Sequence, residues 1–247
     1  MGISSIGLPK LLRTILGGVG ADREDGNMEQ HDPLTRSTQV VDSKTRKEEF
    51  LSPASLGNSR VLWIDGIGGF LCCDREENVI GQATGGNTAD VGIVGDLSRQ
   101  AAAIRRSGSD YLLQPLQPVM LNNQPVDRAQ LLRDGAILQL GRRVKVKFTK
   151  SNPLSATARL DLISLHRWKP SVDGVLLLAD ACVIGPNPGS HVMCPEWKHE
   201  LLMFRHADGW CFRTLAEIEV NGQKTQGQIP IVSGMRMRGD DFSLSVE

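Results

Sequence analysis

Aromatic residues make up 4% of the 247-residue chain, with a single tyrosine. So few rings leave little for bases to stack on, which argues against a single-strand nucleic-acid platform. Net charge is also missing: Lys and Arg total 28 and Asp and Glu total 28. A neutral chain has no global field to steer it onto a polyanion, so any anion recognition must be local. No apolar run approaches the roughly 20 residues that a membrane helix needs. The first residues show no apolar core followed by a small-residue cleavage site. Met1-Gly2 is followed by Ile6 where a myristoylation signal needs Ser or Thr. Five cysteines form an odd set with no disulfide spacing, which favours a reducing compartment. The expectation is a cytoplasmic protein with neither nucleic acid nor membrane as partner. Catalytic signatures are lacking too: there is no G-x-S-x-G, P-loop or H-E-x-x-H, and Ser98 has no neighbouring His or acid in sequence. A non-enzyme without a cofactor is expected.

Residues 1–57 read as a disordered tether, because from Ala21 to Phe50 charges are mixed and apolar residues few. Residues 8–16 could form one short helix, marginal on its own. Thr38, in Thr35-Arg36-Ser37-Thr38, is a candidate kinase target within that tether.

From Arg60 the pattern changes to short apolar runs punctuated by Gly, Asn and Asp. Residues 61–64, 69–73, 78–81, 101–105, 111–114, 118–121, 137–140 and 144–148 read as strands, which argues for a β-sandwich. Residues 144–148 alternate strictly, with one face buried and a lysine face in water; their charge suits an edge strand. Residues 126–133 look briefly helical. A connecting segment, 151–170, holds one candidate outer strand at 158–163. Strand grammar then resumes from 171 to 247.

A divergent repeat links the halves. Ile80-Gly81 answers Ile184-Gly185, and Asn122 stands as far before Gly135 as Asn221 stands before Gly234. The reading is all-β, with two tandem sandwiches at 58–150 and 171–247.

Gly81-Gln82, Ser98-Arg99, Asn122-Asn123 and the run Asp134 to Gly141 together resemble the forkhead-associated (FHA) domain, a reader of phosphothreonine peptides. The resemblance implies a phosphate clamp from an Arg after the strand-ending Gly and from the Ser of a Ser-Arg-x-His loop, with a loop Asn holding the peptide backbone. Charge-assisted hydrogen bonds from a guanidinium and a hydroxyl suit a dianion. In this chain Gln82 replaces the clamping Arg, Ser98 and Arg99 are kept, Ala101 replaces the His, and Gln117-Pro118 replaces the first Asn-Gly. Asn122-Asn123 matches the second turn. The candidate phosphopeptide site is therefore Ser98, Arg99, Gln82, Gln117 and Asn122, with Arg105 or Arg106 available to restore charge. In the second half Pro186 follows Gly185, and Glu196-Trp197-Lys198-His199 stands at the Ser-Arg-x-His position. A Glu there would repel phosphate. The implied function is protein–protein interaction, read through phosphothreonine in a signalling context, with Thr38 as a candidate ligand in cis. The alternative is a phosphate-independent structural adaptor in a larger assembly.

His191, Cys194 and His199 are zinc-capable residue types, but their spacing matches no standard finger, and packing is the favoured reading. Gly66 to Gly69 lies between two strands and opens no helix, so it is a hairpin turn and not a phosphate cradle.

Overall fold

The structure, a computed structural model, describes residues 60–84, 89–207 and 209–247. The expected helix at 8–16, the tether and Thr38 lie outside the described residues.

The described chain is all-β. A first hairpin, β1 (Arg60–Ile64) and β2 (Gly68–Cys73), is followed by β3 (Glu77–Gln82), β4 (Val91–Val94), β5 (Ala102–Ser107) and β6 (Asp110–Pro115). Next come β7 (Val119–Leu121), β8 (Gln124–Val126), β9 (Gln130–Leu132), β10 (Ile137–Leu140) and β11 (Val144–Thr149). The middle of the chain gives β12 (Ala158–Leu162), β13 (Arg167–Lys169) and β14 (Gly174–Leu177). The last third gives β15 (Ala181–Gly185), β16 (Val192–Met193), β17 (Leu201–His206), β18 (Gly209–Thr214) and β19 (Ile218–Val220). It ends with β20 (Gln223–Thr225), β21 (Gln228–Pro230), β22 (Arg236–Gly239) and β23 (Ser243–Val246).

These strands form a twelve-stranded sheet in the order β20-β19-β22-β23-β1-β2-β14-β12-β11-β10-β7-β8, with a six-stranded sheet (β13-β4-β3-β5-β6-β9) and a five-stranded one (β16-β15-β17-β18-β21). Read inward from its two ends, the long sheet repeats itself: β8, β7, β10, β11, β12, β14 answers β20, β19, β22, β23, β1, β2. The repeats meet at a parallel pair, β2 with β14, in which Leu71 lies opposite Val175 and Cys72 opposite Leu176.

The first hairpin therefore does not pair beside β11, the strand that closes the first half. It lies beside β23, with Leu62 opposite Val246. The place next to β11 is taken by β12, with Leu160 opposite Phe148. The two halves have exchanged their leading hairpins. Residues 58–150 and 171–247 hold the outer strands and all of the small sheets except β13, but the hairpins cross between them. Residues 151–170 are more than a connection: β12 is an interior strand, and β13 caps β4 with Trp168 opposite Ile93.

Burial follows from this order. Leu71, Cys73, Val175 and Leu177 face the core under the six-stranded sheet, and Phe70, Cys72, Leu176 and Leu178 face the core under the five-stranded sheet. The smaller sheets thus lie on opposite faces of the large one, and β2 and β14 are buried on both sides, as their unbroken apolar runs require.

Two local expectations are corrected. Residues 144–148 do form β11, with Val144, Val146 and Phe148 buried and Lys145 and Lys147 exposed, but the strand lies between β10 and β12 and guards no edge. Residues 126–133 are not helical. β9 runs along β6, with Leu132 opposite Tyr111, because burying Leu132 in the sandwich outweighs the local pattern.

Candidate functional site

Strand direction fixes which loops meet. β3 ends at Gln82 and runs parallel to β4, while β5 runs antiparallel to β3 from Ala102. The loops after β3, β4 and β6 therefore share one end of the first sandwich, with the β10–β11 turn and the β12–β13 loop.

Gly81 sets the loop after β4. A Cβ there would run into the carbonyl oxygen of Arg99, so the loop backbone can lie against the strand only because the residue is Gly. The Gln82 N–H donates to Ser98 O at 2.9 Å, and the Ala101 N–H donates to Ile80 O at 2.8 Å. Leu97 is buried and anchors the loop in the core. The Gln82 side chain completes the support: its Nε2 donates to Gly95 O at 3.0 Å. On the far side, the N–H groups of Leu116 and Gln117 donate to Ala101 O at 3.1 and 3.0 Å. The result is an exposed tip, Ser98-Arg99, with exposed Gln117 alongside.

Four of the five candidate residues are thus gathered, in two roles. Ser98, Arg99 and Gln117 face solvent, whereas Gln82 holds the loop with the amide that a ligand would otherwise meet. Asn122 is elsewhere. β7 begins beside Leu140 at the site's end of the sheet and finishes with Leu121 opposite Leu138, so Asn122 sits at the other end. Its φ of 49° and the 65° of Asn123 make a tight hairpin turn into β8. Asn122 Oδ1 accepts the Ile137 N–H at 2.9 Å. Asn221, with φ 50°, does the same for the Arg236 N–H at 2.9 Å. The repeated Asn is a turn device, since these side chains hydrogen-bond nearby backbone and tolerate positive φ. Arg105 and Arg106 lie on β5 toward Ser107, away from Ser98, so neither stands at the loop.

The second half closes the equivalent place. Leu201 pairs with Ile184 as Ala102 pairs with Ile80, which sets Trp197 where Ser98 stands. Trp197 is buried and stacks on Phe242 with centroids 4.6 Å apart. The Lys198 N–H bonds the Asp241 carboxylate. An indole therefore fills the position, and Glu196 is exposed one residue earlier. Sequence spacing placed Glu196 there because the loop before β17 is one residue out of step with its counterpart.

Nucleophile and metal chemistry find little purchase. All five thiols are buried. Burial pushes the Cys182 thiol up to about 12 and the Cys194 thiol up to about 11, well short of a thiolate at neutral pH. Burial also lowers His191 to about 4. Its Nδ1 accepts the Val183 N–H at 2.9 Å. Among the described residues no three His, Cys, Asp or Glu side chains are placed to share a metal ion.

A β-sandwich that presents an exposed Ser-Arg tip from loops at one end is the architecture that the FHA resemblance implies. No protein-family model and no curated protein sequence matches the chain. Solved structures do. The FhaA FHA domain, crystallised in complex with the intracellular domain of Rv3910, is 31% identical; the match covers 34% of this chain and 92% of that domain, with a TM-score of 0.26. The Rv0020c FHA structure is 32% identical over 36% of this chain and 89% of that one, with a TM-score of 0.25. A third, from a study of phosphothreonine-dependent FHA domain interactions, is 26% identical over 34% and 88%, with a TM-score of 0.23. Over about a third of its length the chain is thus similar to forkhead-associated domains, at 31% and 32% identity across nearly the whole of each.

Proposed function

We propose that the chain is a non-catalytic protein-interaction module that reads a phosphothreonine-containing segment of a protein partner in intracellular signalling. Ser98, Arg99 and Gln117 are the contacting residues, and Gln82 is the support beneath them. The observation that carries this reading is the Ser98-Arg99 tip: it projects into solvent from a loop held by Gly81, Gln82 and buried Leu97, on a chain related to domains whose solved structures include phosphothreonine-dependent interactions. Hydroxyl and guanidinium donors on a rigid frame suit a dianion, and the frame lowers the ordering cost of binding. The second half, with Trp197 in the corresponding position, serves as a degenerate copy that completes the fold through the exchanged hairpins. Phosphorylated Thr38 of the chain's own tether is a candidate ligand in cis, and the setting is cytoplasmic.

A second reading is a phosphate-independent adaptor in a larger assembly. It is favoured by Gln82, whose amide brings no charge and is engaged with Gly95. Titration of the chain with a degenerate phosphothreonine peptide library separates the two, beside its unphosphorylated counterpart and a Ser98→Ala variant. Phosphate-dependent binding lost in Ser98→Ala supports the reader. Equal binding of both libraries, or of neither, supports the adaptor.

A further inference from the structure

Gly95 is a meeting point. A Cβ built on it would lie 2.7 Å from the His166 ring and 3.4 Å from the Val144 side chain, so the start of β11 and the loop after β12 reach the loop after β4 there because Gly95 carries no side chain. Gly141, with φ 60°, brings the β10–β11 turn equally close: a Cβ on it would sit 3.2 Å from Asp96 O and 3.7 Å from Leu97 Cβ. The β12–β13 loop is itself fixed. Ser164 Oγ accepts the Lys145 N–H at 3.0 Å and lies 2.8 Å from His166 Nδ1. The Ile163 N–H donates to Lys145 O at 3.0 Å.

Three chain segments are thus knitted around the Ser98 tip, and their exposed charges are of nearly one sign. Arg99 comes from the first, Arg142 and Arg143 from the second, and Arg167 from the third, with Lys145 beside them and Asp96 as the acid of the group. None of these cations takes part in an ion pair among the described residues, where the pairs are Arg75–Asp90, Arg159–Asp161 and Arg205–Asp74. On a chain with no net charge, an uncompensated cationic corner is a local feature that calls for an anion.

We infer that the β10–β11 turn and the β12–β13 loop supply the positive half of an anion clamp at Ser98, with Arg142 and Arg143 as its principal donors and Arg167 at its flank. The ligand group is a phosphate dianion carried on a peptide, so the inference rests on the reading above. Ser98 contributes a hydroxyl, the guanidinium groups contribute charge and paired donors, and Gln82 keeps the loop at the right height for both. The exchanged hairpin is a condition of this arrangement, because β12 delivers residues 163–167 to this corner only by lying next to β11.

The test is an amide-resolved NMR titration of the full chain with N-acetyl-phosphothreonine amide and, separately, with inorganic phosphate. It is repeated on the Arg142→Gln/Arg143→Gln double variant and on Arg133→Gln, an exposed cation at the other end of the sandwich. The expected result is that amides of 97–100, 141–144 and 164–167 shift together. Affinity should fall about tenfold in the double variant, the worth of one charge-assisted bond, and stay unchanged in Arg133→Gln. Shifts confined to 97–100 with affinity intact in the double variant would overturn the inference and leave the phosphothreonine reading standing. No phosphate-dependent shift at Ser98 would overturn both. A response to inorganic phosphate as strong as to phosphothreonine, with the same loss in the double variant, would keep the clamp and assign it to the phosphate group alone.

Discussion

The hydroxyl of Tyr111, the only tyrosine in the chain, donates to the backbone oxygen of Leu177 at 3.1 Å in the core. It joins β6 of the small sheet to β14, the strand that meets β2 at the seam between the repeats. The ring also meets Phe148 edge-on, with centroids 5.3 Å apart. One side chain thus spans the first sandwich and ties it to the strand brought in by the exchange.

Removing that hydroxyl deletes a buried hydrogen bond between β6 and β14. Tyr111→Phe is expected to destabilise the protein by about 0.5–1.5 kcal/mol, the net worth of one buried hydrogen bond. It should appear as a lower urea midpoint with an unchanged slope.

The exchange predicts where the chain can be cut. A fragment of residues 74–178 holds β3 to β14 and so carries its own β12 and β14. It is expected to give a dispersed NMR spectrum and to unfold cooperatively. Residues 58–150 lack both strands and hold instead a hairpin whose Leu62, Ile64, Phe70 and Cys72 face the other core. That fragment is expected to be the less stable of the two in denaturant and to self-associate through its apolar face.

Gly81→Ala is expected to cost about 2 kcal/mol or more, through the strain of displacing backbone against a packed strand, and to abolish any Ser98-dependent binding. Gly189→Ala is the control: nothing lies within 4 Å of its Cβ position, so stability should stay within about 0.5 kcal/mol.

His191 makes stability depend on pH. Its folded-state value is lowered to about 4 from the usual 6.5, by burial above all. Between these values the unfolded chain binds the proton and the folded chain does not, so this contribution is present above pH 6.5 and is lost as pH falls toward 4. The loss is roughly 2–3 kcal/mol. His191→Gln keeps an acceptor for Val183 and carries no such titration. The wild type should therefore lose more stability than the variant between pH 7 and pH 4.5, as read from urea midpoints.

Much of this was legible in the sequence. Strict alternation at Val144, Val146 and Phe148 gave β11 its buried face, and Ile80-Gly81 with Ile184-Gly185 marked equivalent strands whose ends support equivalent loops. The Ser98-Arg99 tip was legible through the FHA resemblance, whose Ser-Arg loop these two residues match after the strand ending at Gly81-Gln82. The hairpin exchange was not. Leu62 and Ile64 in β1 present the same apolar alternation as Leu160 and Leu162 in β12, so local pattern cannot tell which sheet receives which hairpin. The available clue was the unbroken run Phe70 to Cys73, answered by Val175 to Leu178, since strands without a polar face are buried on both sides. Asn122 misled for a related reason. Its residue type suits a ligand contact and a left-handed turn alike, and only the direction of β7 shows which end of the sheet it occupies. Arg142, Arg143 and Arg167 were unreadable as a group, because their meeting at Gly95 and Gly141 depends on β12 lying beside β11.

That placement is the centre of the account, and cross-strand proton–proton contacts in an NMR spectrum of the full chain test it directly. The account predicts contacts between Trp63 and Ser245 and between Lys147 and Asp161, the pairs set opposite each other by the exchanged hairpins. Contacts between Trp63 and Lys147 would place β1 beside β11, undo the exchange, and remove residues 163–167 from the corner where Ser98 stands.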